Sequence, residues 1–223
     1  MDFKRITIIC GHYGSGKTNV AVNLAFALKK LYDIVAVADI DIVNPYYRAA
    51  DSAGELREAG IRLITSEYAN SNVDLPALPQ DIYAVTDDRN IRAVLDIGGD
   101  ERGALALGRL AKAVKAENGY DMLFVVSKFR PLTRDAASAT EVMREIENAC
   151  GIAFTGIINN SNLGAETTAD DVLGSAEYAE EVAARAGLKV RMTAVDERLI
   201  KELDGKLPNL FPLKLQRKKH LNR

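Results

Sequence analysis

The chain has 223 residues, 48% hydrophobic and 27% charged, with a net charge of −2, which reads as one ordinary globular core. A balance this near neutral supplies no global field to attract nucleic acid. Cys10 and Cys150 are the only cysteines and neither lies in a C-x-x-C pair, which argues against a disulfide framework and a cysteine metal site.

The N-terminal run "MDFKRITIICGHYG" meets glycine too soon for a signal segment. No later run is long enough to span a bilayer, so a cytoplasmic protein is expected. "RITIIC" (5–10) is a β-branched run closed by glycine and predicts a buried strand. "KTNVAVNLAFALKKLY" (17–32) has helical spacing. "IVAVADID" (34–41) predicts a strand ending in acids, with Pro45 breaking the chain beyond it. "SAGELREAG" (52–60) predicts a short helix capped by Ser52, and "IRLITS" a strand. The polar stretch 67–79 predicts a loop. "IRAVLDIGGD" (91–100) predicts a strand running into a double glycine, with one helix, "ERGALALGRLAKAVKAE", after it. "DMLFVVS" predicts the next strand, and "TRDAASATEVMREIENAC" a helix capped by Thr133. Then come a strand at "AFTGIINN", one helix over "DDVLGSAEYAEEVAARAG" and a last strand at "LKVRMTAVD".

Alternating strands and helices predict an α/β fold: a doubly wound, mostly parallel sheet with helices on both faces. Residues 1–210 are expected to form one ligand-binding domain and 211–223 a basic, solvated tail rather than a membrane anchor. Ligands of such sheets bind at the carboxyl ends of the strands, where this chain collects its unusual polar residues.

"GHYGSGKT" fits the phosphate-loop pattern G-x-x-x-x-G-K-[ST]. Glycines let successive backbone N–H groups point at one anion, a lysine reaches the β/γ-phosphates and a hydroxyl serves Mg²⁺. The cradle is read as Gly11, His12, Gly14, Ser15, Gly16, Lys17, Thr18 and Asn19, with the following helix adding its positive end. Asp96 ends a hydrophobic strand, as an acid of the magnesium shell does, and joins Thr18 as a metal residue. Asp39 and Asp41 stand at i, i+2 and project from one side of an extended segment. One of them can orient or deprotonate a water beside the terminal phosphate, and Asp39 is also counted with the metal shell. With Lys17, these two acids form the expected catalytic set. The double glycine after Asp96 suits a loop that responds to hydrolysis.

These features together resemble the MinD/ParA class of phosphate-loop ATPases, which includes the nitrogenase iron protein, the carbon monoxide dehydrogenase maturation ATPase and cobyrinate amidases. The resemblance rests on the loop near the N-terminus, the D-x-D of Asp39 and Asp41, the D-x-x-G of Asp96 to Gly99 and "GIINNSN". It covers nearly the whole chain. It implies ATP (or ADP) and Mg²⁺ as ligands, Asp41 serving the attacking water and Asn160 contacting adenine. "DIVNPYYR" and "FRPLT" look like markers of a separate branch of the class.

His12 departs from the pattern. The class carries a lysine at this position that crosses a nucleotide-sandwiched dimer to the partner's phosphates. Histidine is shorter and mostly neutral at pH 7. The stimulating cation is then expected from Lys128, Arg130 or a partner protein, unless dimerisation is not required.

The leading expectation is a slow, regulatory or maturation Mg-ATPase acting on a protein client, as a monomer or a weak nucleotide-dependent homodimer. An ATP-dependent ligase, amidase or kinase of the same fold, and a nucleotide-sensing module with negligible turnover, are the alternatives. Guanine is disfavoured because no N-K-x-D run follows "GIINNSN".

Overall fold

The computed structural model describes residues 2–40, 49–65 and 80–215. Asp41, the aromatic pair Tyr46 and Tyr47, Arg48, the stretch 67–79 and residues 216–223 of the basic tail lie outside the described residues.

In chain order the elements are β1 (Ile6–Cys10), α1 (Lys17–Lys29), β2 (Val35–Asp39), α2 (Ala53–Glu58), β3 (Arg62–Thr65), α3 (Gln80–Asp87), β4 (Arg92–Asp96), α4 (Glu101–Gly108), α5 (Ala111–Lys115), β5 (Asp121–Val126), α6 (Ala136–Cys150), β6 (Gly156–Asn159), α7 (Ala169–Leu173), α8 (Ala176–Ala186), β7 (Val190–Asp196), α9 (Ile200–Leu203) and β8 (Leu210–Leu213). Every strand pairing is parallel, in the order β3-β2-β4-β1-β5-β6-β7-β8. Successive side chains of each strand enter opposite layers. Ile6, Ile8, Leu95 and Phe124 face a core closed by α4, α6 and α8, whereas Ile9, Val94, Leu123 and Val125 face one closed by α1 and α2. Burial on both faces is why these strands read as unbroken apolar runs.

Several details differ from the sequence reading. The helix expected over 101–117 breaks at Arg109 and Leu110 into α4 and α5. The one expected over 170–187 breaks at Gly174 and Ser175, where the Ser175 hydroxyl donates to Val172 O (2.7 Å). Thr133 does not cap α6. Asp135 does, its carboxylate accepting from Ser138 N (2.9 Å), which lowers its pKa. The last strand is not β7: Leu210–Leu213 adds an eighth at the sheet edge, so strand β8 crosses the expected boundary at 210/211.

At the amino end of the sheet, Arg5 holds several segments together. Its guanidinium donates to both oxygens of Glu117 (2.9 and 2.6 Å) and to the carbonyls of Val85, Thr86, Asp88 and Ile91. Both side chains of the pair are largely buried. Arg5→Ala leaves a carboxylate and several carbonyls without their donor, and an unfolding midpoint corresponding to a loss of about 3 kcal/mol is expected. Arg5 also holds the Glu117 carboxyl below its ordinary range. The pair's contribution is therefore complete above the unfolded glutamate pKa of about 4.3. It fades as pH falls through the lowered folded value. The gap between urea melts of the two proteins should narrow in acid; a constant gap down the acid range would count against this account.

Candidate nucleotide site

β1 delivers the phosphate loop to the middle of the sheet, between β4 and β5. Gly14 (φ 77°) and Gly16 (φ 84°) hold left-handed conformations that a side chain would strain. Gly16 is also the N-cap of α1, and Ser15 N donates to His12 O (3.1 Å) to tighten the loop. Gly11 is pressed against the neighbouring strand: a methyl group on it would lie 2.4 Å from Val125 O.

Lys17 and Thr18 open α1 and are buried, at 4% and 5% exposure. Thr18 Oγ1 donates to Asp96 Oδ2 (2.6 Å). Asp96 is fully buried at the end of β4, and its register partner on β2 is Asp39. The hydroxyl and the two strand-end acids read from the sequence as a metal shell are thus brought to adjacent ends. Asp39 Oδ2 also accepts from Ala49 N (3.1 Å), where the described chain resumes after residue 48. Among the described residues no three His, Cys, Asp or Glu side chains gather as a metal site. A threonine and two carboxylates form only part of a shell, which fits a divalent cation completed by phosphate oxygens and water.

The buried hydroxyl of Ser15 has no hydrogen-bond partner among the described residues, nor has that of Ser127 at the end of β5. An orphaned hydroxyl in a phosphate loop suits an anion's oxygens. Asn19 lies in the first turn of α1 and accepts from Asn23 Nδ2 through both its carbonyl (2.8 Å) and Oδ1 (3.2 Å). Cys10, just before the loop, is fully buried; burial pushes its thiol up to about 12, against the opposing pull of Lys17.

Three side chains singled out in the sequence are engaged within the chain. Asn160 is 2% exposed and its amide is engaged at both ends. Nδ2 donates to Ser15 O (2.6 Å) and Oδ1 accepts from Asn162 Nδ2 (3.1 Å). This amide braces the phosphate loop, filling the space that a side chain on Gly16 would need. His12 turns back on its own loop: Nδ1–H donates to Tyr13 O (3.1 Å). Lys128 Nζ donates to Gly174 O (2.8 Å), at the α7–α8 break.

Arg130 completes the neighbourhood. A methyl group on Gly14 would lie 3.4 Å from its Nε and 3.5 Å from its Cζ. The sequence offers Arg130 as one source of the stimulating cation, and the structure gives it this position.

Residues 6–172 match the family model described as the CobQ/CobB/MinD/ParA nucleotide binding domain. Among solved structures, FtsY from Mycoplasma mycoides is 18% identical with a TM-score of 0.52, covering 88% of this chain and 62% of that one. The cell division protein FtsY from Thermotoga maritima is 20% identical, with a TM-score of 0.53 and coverages of 86% and 62%. The signal recognition particle 54 kDa protein from Aeropyrum pernix K1, in complex with GDP, is 17% identical, with a TM-score of 0.51 and coverages of 84% and 40%. This chain thus spans less than two thirds of the length of each, and the likeness is one of fold. No curated protein matches.

Proposed function

Because the chain belongs to the CobQ/CobB/MinD/ParA nucleotide-binding domain family, we propose that it binds Mg-ATP, hydrolyses it slowly and acts on a protein client. The observation that carries the reading is the Thr18–Asp96 hydrogen bond at the head of α1, beside buried Lys17 on a left-handed glycine loop. When bound, Mg²⁺ neutralises phosphate charge as the terminal phosphoryl group leaves. Thr18 and Asp96 hold the cation's side of the site, with Asp39 next to them. Lys17 and the loop's N–H groups hold the phosphates, and Asp41 orients the attacking water.

Adenine is favoured over guanine by the missing N-K-x-D run, not by Asn160, whose amide is engaged elsewhere. The client reading is supported by exposed apolar residues on the loops that follow three adjacent strands, β1, β5 and β6: Tyr13 (53% exposed), Leu132 (62%) and Leu163 (48%). Among the described residues no helix is long and apolar enough to cross a membrane. His12 supports slow turnover, because an imidazole bound to its own loop brings no permanent charge to phosphate. The same residue favours the second reading, a nucleotide sensor with negligible turnover.

Competition of ATP and GTP for a fluorescent nucleotide, followed by phosphate release, tests the proposal. ATP should displace the probe at lower concentration, and release should be slow and fall further in Asp41→Asn with Kd within about a few-fold. Tighter GTP binding would reverse the base assignment. Release at background would favour the sensor, and no displacement by either nucleotide would sink both readings.

A further inference from the structure

We propose that Arg130 is a phosphate-contacting residue of this site, a cation supplied from within the chain where position 12 provides none. The assignment rests on the nucleotide reading above and names a residue that reading does not use.

Three observations converge on it. First, Arg130 is a cation that lies against the phosphate loop from outside it. Its Nε, Cζ and Cδ lie 3.4, 3.5 and 3.7 Å from where a side chain on Gly14 would begin. Gly14 is left-handed (φ 77°) and carries no such side chain, so the flat guanidinium can settle directly on the loop. Second, the guanidinium is exposed and makes no ion pair among the described residues. Lys128 and His12 differ: Lys128 is tied to Gly174 O, and His12 to Tyr13 O. Third, the segment carrying Arg130 is built to hold a position. Arg130 N donates to Ser127 O (3.2 Å), and Thr133 N donates to Arg130 O (3.1 Å). Pro131 fixes the next φ, the Tyr178 hydroxyl donates to Thr133 O, and Ser161 Oγ receives Lys128 N (2.9 Å). Ser161 Oγ in turn donates to Asn159 Oδ1 (2.8 Å), and Asn159 Nδ2 to Ser175 Oγ (2.9 Å), so the anchor runs into the buried core.

A planar, permanently charged fork suits the clustered oxygens of a polyphosphate better than a neutral ring does. The segment follows β5 and the phosphate loop follows β1, its neighbour, so the charge is delivered without a partner chain.

The experiment is calorimetry with the mono-, di- and triphosphate of adenosine, in Mg²⁺, on wild type, Arg130→Ala and Arg130→Lys. Arg130→Ala should weaken triphosphate binding about tenfold and monophosphate binding much less. Arg130→Lys should recover part of the loss, and the melting temperature without nucleotide should be unchanged. Wild-type binding that Arg130→Ala leaves untouched, or weakens equally for all three ligands, would overturn the assignment alone. A wild type that binds none of the three would overturn the nucleotide reading and this assignment with it.

Discussion

Lys17→Ala is expected to lower Mg-ATP affinity by at least about a hundredfold while leaving the empty protein folded. Lys17 is the first residue of α1 and only 4% exposed, so its ammonium already sits in a site from which water is largely excluded. Coulomb attraction to phosphate is much stronger there than at a protein surface. Loss of the charge removes a contact that neither Arg130 nor Lys128 replaces in kind: Arg130 approaches from the Gly14 side of the loop, and Lys128 is bound at Gly174. The empty fold depends on Lys17 far less, because α1 is held by Val20, Leu24 and Leu28 in the core under the sheet. Calorimetry paired with a thermal melt reads both quantities. Equal affinity of the two proteins would remove Lys17 from the site, and a collapsed melt would show that it supports the fold instead.

Much of this arrangement is legible in the sequence because its signals are local. "GHYGSGKT" carries its own turn chemistry, and "DMLFVV" reads as a strand because both of its faces are buried. What is not legible depends on contacts between distant residues. Asn160 reaches Ser15 across 145 positions, and nothing in "GIINNSN" distinguishes an amide that braces a loop from one that meets a base. Arg130 lies against Gly14 only because β5 is laid beside β1. Strand β8 was missed because "LFPL" contains a proline, which a sheet accepts at its edge and hardly elsewhere. Helix α3 followed a polar, proline-bearing stretch and offered only eight residues of pattern. The breaks between α4 and α5 and between α7 and α8 leave no strong mark, since each side keeps helical spacing.

Gly99→Ala should be the most disruptive single methyl group added to the site. The sequence suggests that the double glycine after Asp96 is there for flexibility, but the structure gives Gly99 a steric reason. A Cβ on Gly99 would lie 1.9 Å from Gly11 O, 2.7 Å from Gly11 C and 2.9 Å from His12 Cα. All three atoms belong to the backbone, so no rotamer can relieve the overlap. Either the Gly98–Asp100 segment or the phosphate loop must move. Gly98 is held from the other side, its carbonyl within 2.5 Å of the Cβ position of Gly103, whose N–H is capped by Asp100 (2.9 Å). The phosphate loop is held by Asn160 and by β5. Overpacking between two fixed segments costs about 3 kcal/mol. Part of this should appear as a lower melting temperature, and part as nucleotide affinity reduced at least about tenfold by a displaced cradle. Gly54→Ala is the control: it lies in α2 with nothing within 4 Å of its Cβ position, and alanine there should be neutral or stabilise by up to about 1 kcal/mol. A Gly99→Ala protein that melts and binds like wild type would show that the two loops part freely, and the flush contact would then have no role in coupling Asp96 to the phosphate cradle.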